Sequence, residues 1–214
     1  MIKKFTAEFI GTSFLLMIIA GSGIMASNLS KDVGLVLLAN AIATGAGLTA
    51  LIWVFEPISG AHFNPAVSLL MYLRKKMSLI EFFYFNLAQV IGGILGVILA
   101  NLMFNLPAVE MSEKIRDGGN IYLSELIATF GLLLLIIIIS NKKSNNIAPA
   151  VGLYITAGYW FTSSTSFANP AVSLARSFTN TFTGISIDNV IYFIAMQIIA
   201  VLMVFFISKL LLKD

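Results

Sequence analysis

The string Asn-Pro-Ala-Val-Ser-Leu occurs twice in this chain, at residues 64–69 and again 105 residues later at 169–174. Each copy opens an apolar piece of about ten residues, too short to cross a bilayer, which takes roughly 20. Asn followed by Pro suits a helix start, because the Asn side chain accepts from free backbone amides and Pro fits the first turn. Around these pieces lie six longer apolar runs, at about 5–26, 33–55, 79–106, 121–140, 147–162 and 187–212. Non-helical backbone is tolerated at membrane depth only where protein buries it or where it lines a water-filled cavity. The pattern therefore predicts an all-α membrane protein of six transmembrane helices and two re-entrant half helices.

Composition excludes most other classes. With 58% hydrophobic and 11% charged residues and a mean hydropathy of +0.94, the chain is far more apolar than a soluble domain. Six spans leave no room for a separate soluble catalytic or regulatory domain. There is no cysteine, so disulfides, zinc–thiolate sites and thiol nucleophiles are ruled out. A single histidine, His62, argues against a histidine metal cluster, and no cofactor is expected. The net charge of +3 comes from basic residues set between apolar runs, which gives no nucleic-acid footprint.

The repetition reaches beyond the six-residue string. Ala7-Glu8-Phe9-Ile10-Gly11-Thr12 resembles Ser124-Glu125-Leu126-Ile127-Ala128-Thr129, and Gln89 parallels Gln197. The chain reads as a single channel domain over 1–214 built from two copies, about 1–105 and 118–214, each with three spans and one half helix. An odd number of spans inverts the second copy, and inverted repeats with broken helices point to a solute site at the midplane. The two half-helix N-termini meet there, each carrying about half an elementary positive charge, which opposes a cation or a hopping proton. Asn64 and Asn169 cap their helices through the side-chain oxygen and turn the amide donors toward the pore.

Orientation follows from the short loops. One side carries Lys3, Lys4, Arg74, Lys75, Lys76, Lys142, Lys143, Lys209 and Lys213; the other carries Lys31, Lys114, Arg116 and Arg176. Both termini are thus expected in the cytoplasm, with the protein multi-pass in the inner or plasma membrane. Lys3 and Lys4 before an apolar stretch imitate a signal peptide, but Glu8 inside that stretch favours a retained helix.

These motifs resemble the major intrinsic protein family, the aquaporins and aquaglyceroporins, whose hallmark is two Asn-Pro-Ala motifs on facing half helices. The resemblance implies an aquaporin-like hourglass monomer with its own pore, assembled as a homotetramer. In most of the family an Arg follows the second Asn-Pro-Ala; here that position is Val172. The other filter positions fall on Thr44, Ala157 and Ser166, a wider and less polar ring than an aromatic–Arg one. Tyr159, Trp160 or Phe167 are candidates to fill the added space. The run from Tyr159 to Val172 is similar to a bacterial aquaglyceroporin branch associated with arsenic resistance, which implies conduction of arsenous acid or methylated arsenicals.

Several polar residues admit two readings. Glu8 and Glu125, acids within the spans, serve either proton coupling or, as the resemblance implies, anchoring of the re-entrant loops. Glu56 stands either at the cytoplasmic pore mouth or in a solvated loop. His62, two residues before Asn64, is a pore-lining or gating candidate or a buried hydrogen-bonding group. Arg176, one helical turn beyond Val172, supplies positive potential to the outer vestibule, or else forms a salt bridge or snorkels. Gly92, Gly93 and Gly96 form a small-residue face suited to close helix packing.

The expected function is a passive channel for water and small uncharged solutes such as glycerol-like polyols, excluding ions and protons. The alternative is a secondary transporter, which inverted repeats also describe, although paired intramembrane charges are scarce. An ion-leaky pore is a third reading, since Val172 removes one cation barrier. No nucleophile–base or metal-ligand cluster suggests an enzyme.

Overall fold

The computed structural model describes residues 1–141 and 146–212; Lys142, Lys143 and Lys213 of the charge argument lie outside them. Eight α-helices account for the described chain: α1 (Ile2–Leu29), α2 (Val33–Ser59), α3 (Pro65–Leu73), α4 (Leu79–Met103), α5 (Gly119–Asn141), α6 (Ile147–Phe161), α7 (Pro170–Ala175) and α8 (Ile187–Leu211). A 3-10 turn, Arg176–Phe178, extends α7. Five helices are long and apolar enough to cross a membrane, whereas α6 is apolar but has only 15 residues. α3 and α7 are the two half helices, with 9 and 6 residues.

Helix ends follow their capping chemistry. α4 starts with a reciprocal capping box between Ser78 and Glu81, and α2 starts with the Asp32 carboxylate accepting from the Leu35 amide. α2 runs four residues past the apolar stretch, through Pro57 to Ser59, and stops at Gly60, whose φ of 90° only glycine adopts freely. Glu56 is therefore helical rather than in a loop.

Contacts between helices come in matched pairs. α1 packs on α2 and α4 as α5 packs on α6 and α8; α3 lies on α4 and α8 as α7 lies on α8 and α4. α2 meets α6, and α3 meets α7, across the centre. Small residues permit these approaches: a Cβ at Gly92 would stand 2.4 Å from the Phe9 carbonyl oxygen, and one at Gly96 would stand 2.2 Å from that of Ser13. At the centre, Gly45 and Gly152 pack reciprocally, each against the other's carbonyl. Large apolar side chains such as Trp53, Phe83, Ile191 and Phe206 remain exposed around the outside, as a lipid-facing surface requires.

Candidate functional site

The site is built on two loops that arrive at the centre in the same conformation. Ala61 and Phe63 in the first loop have φ of 49° and 47°; their counterparts 105 residues on, Ser166 and Ala168, have 51° and 48°. Left-handed backbone in residues with a Cβ is strained, and it persists only where its surroundings over-determine it. Here the surroundings are two buried glutamates.

Glu8 of α1 accepts from Ser59 Oγ at 2.6 Å and the His62 amide at 3.0 Å through Oε1. Its Oε2 accepts from the Phe63 amide at 2.7 Å and Gln89 Nε2 at 2.8 Å. Glu125 of α5 accepts from the Phe167 amide at 3.1 Å, the Ala168 amide at 2.5 Å and Gln197 Nε2 at 2.7 Å, with Ser164 beside it. Both glutamates and both glutamines are fully buried. Each glutamine also donates to the serine of its own half helix, Gln89 to Ser68 Oγ at 3.1 Å and Gln197 to Ser173 Oγ at 2.9 Å. A carboxylate removed from water is tolerable when its lone pairs are filled in this way. Every bond around these acids goes to a loop or to a helix neighbour of the loop.

The two Asn-Pro pairs begin the half helices. Asn64 Oδ1 accepts from the Ala66 amide at 2.8 Å; Asn169 Oδ1 accepts from the amides of Ala171 at 3.0 Å and Val172 at 3.3 Å. Pro65 and Pro170 occupy the first turn, where a missing amide is harmless, and Ala66 and Ala171 are buried. Each Asn amide then reaches across: Asn64 Nδ2 donates to Ala168 O and Asn169 Nδ2 to Phe63 O, both at 2.7 Å. One donor of each amide is thus spent on the opposite loop, which leaves one donor apiece rather than two.

A continuous cavity of about 320 Å³ passes both asparagines. Its walls include Glu56, His62 and Met71 at one end and Thr44, Tyr159, Phe167, Val172 and Arg176 at the other. Leu15, Leu48, Ile52, Leu132, Ile136 and Val151 add apolar lining. Glu56 thus lines a mouth of the cavity. His62 Nδ1 is 3.0 Å from Ser68 Oγ, and its ring meets Phe85 edge to face at 5.2 Å. His62 and Met71 also border a second space of about 140 Å³ that contains Lys4, paired with Glu81 at 2.8 Å.

Three of the four expected filter residues border the cavity, and Ala157 does not. Thr44 and Val172 line the cavity. Ala157 is exposed on the outer face of α6; the cavity face of that helix is Ile147, Val151, Ile155 and Tyr159. Tyr159 takes the place assigned to Ala157, with its hydroxyl 3.2 Å from Thr44 Oγ1. Ser166 borders the cavity, but its hydroxyl is buried with no partner, beside Gly158, where a Cβ would stand 2.6 Å away. Trp160 faces outward.

Arg176 is buried on the cavity wall. Its Nε donates to the Thr183 carbonyl, and its guanidinium carbon lies 3.5 Å from the centre of the Phe167 ring. Among the described residues it forms no salt bridge, and its burial rules out snorkelling to the surface. Arg116, on the segment joining α4 to α5, approaches the same ring at 5.0 Å; no sequence pattern pointed to it.

Two half helices meeting end to end on a cavity inside a multi-pass bundle define a membrane channel built on re-entrant helices. The chain belongs to the major intrinsic protein family, whose family model matches residues 1–162. It is 51% identical to the aquaglyceroporin AqpS of Rhizobium meliloti over 86% of this chain and 78% of that protein. It is also 32% identical to aquaporin A of Dictyostelium discoideum, over 73% of this chain and 60% of that one. The X-ray structure of the aquaglyceroporin from Plasmodium falciparum has the same fold, with a TM-score of 0.74 at 24% identity, covering 99% and 97% of the two chains.

Proposed function

We propose that the protein is a passive channel for water and small uncharged solutes of the glycerol class. The observation that carries this reading is the cavity running past Asn64 and Asn169, with donors on one part of its wall and aliphatic side chains on the rest. Such a wall suits a solute that has hydroxyls along one edge and carbon along the other. The positive ends of α3 and α7 oppose cations and protons at the midpoint. Glu8 and Glu125 anchor the loops, and their filled coordination speaks against proton coupling and so against the transporter alternative. No residue is assigned to catalysis.

In this reading Thr44, Tyr159, Val172 and Arg176 form the narrow outer part of the pore. Val172 in place of a guanidinium widens it, which admits arsenous acid and methylated arsenicals alongside glycerol. Each copy, about 1–105 and about 118–214, contributes one half helix to one channel domain. Both termini are cytoplasmic, on the side of Lys4, Lys76 and Arg74, in the inner or plasma membrane. Four copies assemble through their exposed apolar faces. Stopped-flow light scattering on proteoliposomes compares water, glycerol and arsenous acid. Non-saturating flux indifferent to a proton gradient is expected; saturation at low concentration, or gradient dependence, sinks the channel reading.

A further inference from the structure

The loop between α7 and α8 offers three consecutive backbone carbonyls to three cations. Lys114 Nζ donates to Phe182 O at 2.6 Å, Arg176 Nε to Thr183 O, and Arg116 Nε to Gly184 O at 2.9 Å. Both guanidiniums lie against Phe167, and the Lys114 ammonium lies 4.6 Å from the centre of the Phe182 ring.

No carboxylate pairs with any of the three among the described residues. The acids of the same segment are directed elsewhere: Asp117 accepts from the Tyr122 hydroxyl, Glu110 from Asn180 Nδ2, and Glu113 is exposed. Each guanidinium spends its Nε on a carbonyl, and among the described residues its four Nη hydrogens find no protein acceptor. Arg176 is buried, whereas Arg116 and Lys114 are half-buried, so their free donors open toward the mouth; carbonyl dipoles and ring faces compensate only part of the charge gathered there. A guanidinium edge matches two oxygens of one anion, and two such edges beside an ammonium match it better.

We infer that this mouth binds a small oxyanion, held by the Nη groups of Arg116 and Arg176 and by the Lys114 ammonium. Arg176 and Phe167 are walls of the main cavity, so an anion seated here stands across the path of a neutral solute. Its occupancy throttles flux. Only this effect on flux rests on the channel reading; binding itself does not. Both formate, a planar carboxylate, and inorganic phosphate, a tetrahedral oxyanion, present the required pair of oxygens.

The test titrates each anion into purified protein by calorimetry, at constant ionic strength set with chloride. The same anions are then added on both sides of proteoliposomes during glycerol flux. Saturable binding of at least one anion is expected, with flux falling over the same concentration range. Arg116→Gln is expected to weaken the affinity about tenfold, the loss of one charge-assisted contact. Lys114→Gln weakens it less, because an ammonium offers a point charge rather than a fork. Both substitutions lie on the connecting segment, which keeps the test intact if Arg176→Gln fails to fold. Binding of formate alone or phosphate alone identifies the favoured shape and supports the site. Saturation by neither, or affinities unchanged in both variants, overturns the inference. Absence of glycerol flux without any anion counts against the channel reading and leaves the calorimetric result standing.

Discussion

The two halves of the pore share one scaffold and differ at its mouths. Glu8 with Gln89 and Glu125 with Gln197 hold loops of matching left-handed backbone, and each Asn crosses to the other loop. Two positions break the match. Two residues before the Asn, the first half has His62 against Phe85, while the second has Phe167 against Phe193. Seven residues after the Asn, the first half has Met71 and the second Arg176, both on the cavity wall. The one mouth carries the Glu56 carboxylate, with Lys4 nearby paired to Glu81; the other gathers two guanidiniums around a phenylalanine, with no carboxylate paired to either among the described residues. Loop anchoring tolerates little variation because it satisfies buried backbone, whereas the mouths are free to diverge.

The largest expected effect tests the shared scaffold. Glu8→Ala and Glu125→Ala each strip the acceptor from four donors, Ser164 being the fourth on Glu125. An unsatisfied buried donor costs about 1–3 kcal/mol, so either change removes most of a typical stability of about 5–15 kcal/mol. Both variants are expected to lose the folded species in size-exclusion profiles, and to a similar extent. The equivalence of the halves fails if either variant folds normally.

The next prediction concerns the divergent mouth. Val172→Arg adds a guanidinium one turn before Arg176 and narrows the pore beside Thr44 and Tyr159. Glycerol flux should fall about tenfold, the scale on which pockets discriminate by size, with a smaller loss for water. Equal losses for both solutes in stopped-flow scattering would remove Val172 from the constriction.

How much of this site could be read from sequence depends on where structure is regular. The asparagines, the glutamates and the glutamines were legible because each lies in or beside a helix whose phase the repeat fixes. Ala157 was misplaced because the count backward from Asn169 crosses the extended segment 162–168, where Thr165, Ser166 and Ala168 have positive φ and helical phase is lost. Nor could the face of α6 be read from its own residues. Its cavity side, Ile147, Val151 and Ile155, is as apolar as its outer side, Leu153 and Trp160, so no amphipathic period marks the pore. Lys114 and Arg116 gave no signal, since they reach the mouth through the tertiary path of a segment without helix or strand.

Converting one half toward the other gives a smaller effect. His62→Phe places at 62 the residue found at 167, opposite a Phe85 that corresponds to Phe193. The change forfeits the contact with Ser68 Oγ and keeps the edge-to-face packing. A loss of about 1 kcal/mol is expected, equivalent to about 2–4 °C in thermal midpoint for a chain of this size. Failure to fold would mean that the two loop positions are not interchangeable.

The smallest effect separates the mouths by pH. Burial, with repulsion from Arg116 and Arg176, lowers the Lys114 ammonium from 10.5 to about 8. Below pH 8 folded and unfolded chains both hold this proton, and the penalty of the buried charge is present in full. Between pH 8 and 10.5 the unfolded chain holds it and the folded chain does not, so stability rises with pH across that window. Arg116, lowered to about 10, adds to the rise only at its upper end. Lys114→Gln removes the titrating group, so its thermal midpoint should exceed that of the parent at pH 7, with the advantage shrinking above pH 8 and gone by pH 10.5. A difference that stays constant with pH would show that Lys114 titrates normally and that this mouth is no more electropositive than the one where Lys4 meets Glu81.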